Sequence, residues 1–302
     1  VYQLFVEKAI EMNPRYVLMI TPSRWFAGGL GLDAYRTRML TSGSLRRIVD
    51  YPAADDCFPG VQIKGGVSYF LWDRDHKGPC EVMTVRGDEI SPPSTRPLDT
   101  HDVFVRYNEA VDILAKVQAL GEETLDRHVA SRVPFGLQAN FTDYRSEPFP
   151  GAVKVYGNKF IGYLDPDLIT KNADWLGQYK VLMSAAYGAG EGVPHQIVGR
   201  PIVAGPNEVC TDTYLLIRRF DSSVEAERFA TALHTRFVRF LISLRKVAQH
   251  TKPSTFAFVP DLPMDREWAD ADLYERYGLT DEEIAFIESQ VKEMPAHGAA
   301  AA

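Results

Sequence analysis

No apolar run in the 302-residue chain reaches the roughly 18 residues that a membrane-crossing helix requires, which excludes an ordinary transmembrane span. A basic-then-apolar amino-terminal signal is also missing, and the chain opens on Val1, which reads as an artificial or processing boundary. Cysteine is scarce. Cys57, Cys80 and Cys210 are too few and too scattered for a disulfide framework or a paired metal-binding spacing, so free thiols in a reducing, cytoplasmic setting are expected. The 7 histidines are equally dispersed, with no HExxH, and no metal is expected. The glycine-rich stretch from Gly188 to Gly192 lacks the Gly-Lys-Ser/Thr ending of a nucleotide-binding loop. No nucleophile and base pair can be named either, which disfavours an unrelated small-molecule α/β enzyme.

A net charge of -7 at first argues against a polyanionic partner. Its distribution changes that. From Asp261 onward there are about eleven acids against three bases, so the remainder is nearly neutral and can still present a local phosphate-binding face.

What is present begins with alternating helix and strand signals. Leu4, Phe5, Ala9 and Ile10 recur at helical spacing, Asn13-Pro14 breaks the helix, and Tyr16 to Ile20 forms a short apolar strand. A loop through Thr21-Pro22 to Gly29, a helix near Leu32 to Leu40, and strands at Leu45 to Tyr51 and Gly66 to Trp72 follow. This alternation predicts a largely parallel sheet buried on both faces, for which three strands are too few. Three prolines without periodicity mark residues 88–100 as a linker after a first domain, 1–87.

Asn108 is the expected N-cap of a helix carrying Val111, Leu114, Ala115, Val117 and Leu120, stopped by Gly121. A hairpin is expected around Gly157-Asn158, with further strands at Lys180 to Met183 and Thr213 to Ile217. Ser222 and Glu225 form a capping-box pattern before a long helix with Phe229, Leu233, Phe237, Phe240, Leu241 and Leu244 on its core face. Arg236, Arg239, Arg245 and Lys246 gather toward its end, where capping and solvation explain them better than a DNA contact does. Residues 101–260 therefore read as an α+β module, and 261–302 as an acidic helical tail.

Three blocks, Tyr2 to Ile10, Leu18-Met-Ile-Thr-Pro-Ser-Arg-Trp25 and Phe58-Pro-Gly-Val-Gln-Ile-Lys-Gly-Gly-Val-Ser-Tyr-Phe70, together resemble the latter half of a gamma-type adenine-specific N6 DNA methyltransferase from a restriction-modification system. The likeness extends more loosely through Pro134 to Leu137 and Trp268 to Glu288. It implies an α/β remnant of a methyltransferase catalytic sheet, an α+β target-recognition domain and a helical carboxyl-terminal tail. It also implies S-adenosylmethionine as the cofactor of the complete enzyme, bound on a glycine-rich turn, and an Asn-Pro-Pro-Tyr type loop at the target amine. Neither motif occurs here, because Asn13-Pro14 is followed by Arg15. On this resemblance the missing parts precede Val1, and the chain alone transfers no methyl group.

Phe58 matches the aromatic that the family stacks on the flipped base, although a loop phenylalanine packed on the sheet edge is the plainer alternative. Phe5 matches the aromatic beside the cofactor adenine, with a helical core residue as its alternative. In the middle region Lys154 and Lys159 flank the hairpin turn, and Lys180, His195 and Arg200 lie in or beside the long loops. These five are the candidate contacts to double-stranded DNA, each weighed against an ordinary solvated surface position. A catalytic portion of the same protein, or a separate catalytic subunit, is the implied partner. The second possibility makes the chain a specificity or scaffold subunit docked through Ser222 to Gln249.

Overall fold

The computed structural model describes residues 1–188, 192–246 and 249–294. Two compact units are present, one formed by Val1–Ala115 with Leu244–Ala248, the other by Lys116–Ser243 with Gln249–Ala302.

The first unit follows the order α1 (Tyr2–Glu11), β1 (Tyr16–Pro22), α2 (Asp33–Thr41), β2 (Leu45–Tyr51), β3 (Val67–Asp73), β4 (Cys80–Arg86), β5 (Glu89–Ile90) and β6 (Ser94–Arg96). The sheet order is β1-β3-β2-β4-β5, with β6 also pairing to β4. The expectation of a largely parallel sheet is overturned: β3 runs antiparallel to both β1 and β2, and only β2 with β4 is parallel. Parallel neighbours need a long crossover. Helix α2 supplies one between β1 and β2, but β3 then inserts between those strands. The segment read as a linker, 88–100, is part of this sheet, because β5 and β6 pair with β4.

One face carries the core. Val17, Phe70, Ile48 and Val82 from four strands pack with Val6 of α1, with Tyr35 and Met39 of α2, and with Trp25, Phe26 and Phe104. The other face was expected to be covered as well, yet Tyr16, Leu18 and Ile20 of β1 are 53, 68 and 51% exposed. Leu4 and Phe5 point away from the core that α1 forms through Val6, so the helical face read from sequence is rotated.

Helix α3 (Asn108–Ala119) buries Ala110, Ile113, Leu114 and Val117 and stops two residues before Gly121, whose φ is positive, whereas Leu120 is exposed. The Asn108 side chain donates to the carbonyls of Val82 and Pro92 rather than capping the helix. In the second unit β7 (Val153–Gly157) and β8 (Phe160–Leu164) form the expected hairpin, turning at Asn158 and Lys159. Strands β9 (Tyr179–Ser184), β10 (Ile202–Ala204), β11 (Glu208–Cys210) and β12 (Tyr214–Phe220) complete two three-stranded sheets, β10-β9-β12 and β11-β7-β8.

The long helix expected from Ser222 is instead two helices, α4 (Ser223–His234) and α5 (Arg236–Ser243). Thr235 is extended between them, and Asp270 accepts hydrogen bonds from the amides of Arg236 and Phe237, capping α5 from a distant segment. Ser222 makes no side-chain cap. Helices α6 (Asp270–Arg276) and α7 (Asp281–Gln290) pack on α5 through Phe237 with Tyr277 and Phe240 with Phe286. Phe237, Phe240 and Leu241 are thereby wholly buried, so α5 offers no free apolar face for a docking partner. No helix among the described residues is long and apolar enough to cross a membrane.

Candidate functional site

The most heavily buried polar cluster of the first unit lies at the end of β2. Asp50 has no exposed surface, Ser23 Oγ donates to its Oδ1 at 2.8 Å, and Arg106 Nε lies 2.7 Å from its Oδ2. Burial pushes the Asp50 carboxyl above the usual range, while Arg106 and Ser23 oppose that shift. In register with Asp50 stand Ser68 on β3 and Thr84 on β4, and Thr21 on β1 stands opposite Ser68. All four are buried, in a row across the sheet at the level where β2 leaves for its next loop.

That loop carries Phe58, which is 39% exposed and not packed into the core. Within the loop the Phe58 amide donates to Ala54 O at 2.8 Å and Asp55 accepts from the Gly60 amide, while Asp56 accepts from the distant Gly87 amide at 2.9 Å. The loop returns at Gly66, whose φ is +76° and where a Cβ would lie 2.1 Å from Tyr51 O. Only glycine closes the loop this tightly. Phe5 is 66% exposed on α1, so the core alternative for it is excluded.

The five DNA candidates belong to the second unit and fare differently. Lys180 is wholly buried and donates to the carbonyls of Trp175, Leu176 and Gln178 at 3.1, 3.3 and 2.7 Å; burial brings its pKa down to about 8. It is unavailable to a phosphate, which corrects the sequence reading. Lys154 Nζ is engaged by Tyr156 Oη at 2.8 Å and Glu208 at 3.1 Å. Burial works against its charge, but these partners carry its pKa above the ordinary lysine value. His195 is half-buried, with its backbone bridged to Val291 at the end of α7. Lys159, at the hairpin turn with φ +63°, and Arg200 are exposed. Of the glycine-bearing recognition loop, Ala189 to Glu191 lie outside the described residues.

Sequence reasoning missed Asp50 and Arg106. An aspartate closing the apolar run of Arg47-Ile-Val-Asp50 was a visible signal, but its partner lies far along the chain. A second feature without a sequence signal is a surface pocket of about 330 Å3 lined by Tyr144, Arg145, Phe149, Tyr163, Asp143 and Asp167 beside β8. There Tyr144 stacks on Phe160 with ring centroids 4.0 Å apart. Among the described residues no cluster of acids, histidines and cysteines could hold a metal ion.

Residues 1–58 match the family model of the Eco57I restriction-modification methylases, a span that covers α1 through β2 and ends on Phe58. An uncharacterized adenine-specific methylase of Mycoplasma pneumoniae is 32% identical over 85 residues, which is 28% of this chain and 20% of that protein. Two solved structures are also similar. The type IIG restriction endonuclease BpuSI matches with a TM-score of 0.38 and 10% identity, over 90% of this chain and 42% of its own. The type IIL restriction-modification enzyme MmeI, in complex with DNA, matches with a TM-score of 0.43 and 7% identity, over 80% of this chain and 38% of its own. Both likenesses fall below the level at which a shared fold follows. The chain thus spans well under half the length of each relative. The family model and the sequence relative agree with the resemblance read from the opening blocks: the amino-terminal segment of the chain is similar to restriction-modification methylases and to an adenine-specific methylase.

Proposed function

We propose that this chain is the carboxyl-terminal portion of a site-specific adenine-N6 DNA methyltransferase of a restriction-modification system, and that its second unit reads the DNA target. The observation that carries the reading is where the family match falls: on α1, β1, α2 and β2, whose sheet leaves β1 as an edge strand with three apolar side chains exposed. Such an edge is a template for a further strand. The remainder of the catalytic sheet, with its glycine-rich turn and Asn-Pro-Pro-Tyr type loop, is the partner that fits it.

S-adenosylmethionine is the methyl donor of the complete enzyme on this reading. The chain offers that cofactor one exposed ring, Phe5, and lacks the turn that would cradle it, so the chain's own residues do not make up the cofactor site. What they contribute to the reaction is an aromatic face at Phe58 for the extruded adenine, a stacking contact of about 1 to 3 kcal/mol. Lys159 and Arg200 supply phosphate contacts that set the register of the second unit on the duplex.

The test is methyl transfer from labelled S-adenosylmethionine to DNA, by the chain alone and by the chain joined to a catalytic half carrying both missing motifs. Transfer only by the joined protein, slowed by about 5- to 150-fold on Phe58→Ala, is expected. Robust transfer by the chain alone, or none by the joined protein, refutes the reading.

A further inference from the structure

The buried cluster at Asp50 and the loop that carries Phe58 share their fastenings. Arg106 reaches Asp50 Oδ2 through Nε and donates through Nη2 to the carbonyl of Gly65, at the returning end of the loop. Ser23 does the same from the other side, with Oγ on Asp50 Oδ1 and its amide donating to Gly66 O at 3.0 Å. The departing end, Tyr51-Pro52, is the residue pair against which Gly66 closes. Both ends of the loop are therefore held at one point, and that point is the Asp50 carboxylate with its two partners.

A fully buried carboxylate is costly to keep, even when paired, and an apolar side chain of similar size packs a core more cheaply. Here the cost falls at a layer where Thr21, Ser68 and Thr84 are also buried, their hydroxyls without a protein hydrogen-bond partner, and where Arg106 holds Asp50 Oδ2 as an ion pair at 2.7 Å and not as an aligned hydrogen bond. Arg106 also lies over the Phe26 ring at 5.5 Å, and Arg86 adds a further favourable charge toward Asp50. Packing economy does not account for this arrangement; geometry at the loop base does. The guanidinium fork serves a carboxylate and a carbonyl at once, which a lysine ammonium on its flexible stem does not reproduce.

We propose that Asp50 and Arg106 are positioning residues, which hold the loop of residues 52–65 so that Phe58 is presented to the extruded adenine. The proposal rests on the base-stacking role of Phe58 given above. They touch neither base nor cofactor, and act through the loop.

The experiment has two arms. In the chain itself, amide hydrogen exchange is followed across the first unit for wild type, Arg106→Met and Arg106→Lys. Exchange over residues 53–65 is expected to accelerate about tenfold or more in Arg106→Met, and less in Arg106→Lys, with β1 to β4 unchanged. In the complete methyltransferase, kcat for methyl transfer is expected to fall up to about 100-fold in Arg106→Met and Asp50→Asn, since a misplaced group costs that much. KM for S-adenosylmethionine and Kd for DNA are expected to hold within about threefold.

A double variant separates positioning from general damage. If Arg106 acts through Phe58, Arg106→Met with Phe58→Ala is no slower than Phe58→Ala alone; independent effects multiply. Multiplying losses, unchanged loop exchange, or loosening spread over the whole unit would overturn the proposal. A wild-type enzyme without methyl transfer would instead sink the base-stacking reading, and the exchange arm would still decide whether the pair holds the loop.

Discussion

Replacing Lys180 by Met distinguishes a buried lysine from a DNA contact through two independent readouts. In the folded chain the Lys180 pKa is lowered to about 8 from 10.5 by burial, partly offset by the neighbouring Glu208 and Cys210. The unfolded chain therefore holds more protons than the folded one between those values, and stability rises with pH across the window. Below about pH 8 both states are charged, and the folded state carries the cost of a buried ammonium. Above about 10.5 both are neutral and that cost is gone. The 2.5-unit interval corresponds to about 3 kcal/mol as an upper bound. Cys80 and Cys210, whose thiols burial pushes up to about 12, act in the opposite direction above pH 9. The informative quantity is thus the difference between wild type and Lys180→Met in urea unfolding free energy from pH 7 to 10.5. Methionine removes one donor from each of three carbonyls; Trp175 O and Leu176 O keep the amides of Gln178 and Asn207, while Gln178 O loses its side-chain donor, so the variant is less stable at every pH, by about 1 to 3 kcal/mol. The gap between the two proteins should widen as pH rises through the window. The DNA-binding salt slope should be unaffected. A gap that stays flat, or a slope that falls on substitution, would refute the burial argument.

Lys159→Gln should weaken DNA binding and lower the salt slope by about 0.9, measured by fluorescence anisotropy across a salt series, because one exposed phosphate contact is lost. Lys154→Met should leave that slope in place and instead cost about 1 to 2 kcal/mol in urea unfolding, since Lys154 is spent on Tyr156 and Glu208. Gly66→Ala places a Cβ 2.1 Å from Tyr51 O at a φ of +76°, and should destabilise the first unit by about 2 kcal/mol or more in the same assay. Leu18→Lys at the exposed β1 edge should reduce concentration-dependent self-association of the isolated chain in sedimentation, without lowering its unfolding midpoint.

The strands were legible because each is a short apolar or β-branched run between turn residues, and β2 begins and ends where the sequence reading placed it. Their directions were not. Direction depends on which strand inserts where, and the insertion of β3 between β1 and β2 leaves no local trace. The break between α4 and α5 carries one local signal, Thr235, whose Oγ1 accepts from the Val238 amide at 3.2 Å as the N-cap of α5; it was masked because the apolar series continues across it, and the second cap, Asp270, is contributed by α6. At the candidate site, Phe58 could be singled out from the block that contains it. The Asp50 and Arg106 pair could not, because a carboxylate at a strand end acquires meaning only from a cation brought to it by the fold.

A count of basic residues overstates the cationic surface of this chain. Among the described residues, three deeply buried cations are tied to main-chain oxygens, while Arg245 is held by the Asp102 carboxylate. Lys180 holds the turn before β9 through three carbonyls. Arg239, 1% exposed, joins the carbonyls of His234 and Thr235 to those of Gln196 and Lys292. Arg36, 6% exposed, gathers the carbonyls of Trp25, Gly28 and Asp102. Carbonyls at loop ends have no ladder partner and cannot be buried without a donor, and a long cationic side chain supplies several donors from one position. In these three places buried loop backbone consumes a basic residue internally. Lys159, in a tight hairpin between paired strands whose backbone is already satisfied, stays exposed where Lys154 and Lys180 are engaged by protein oxygens.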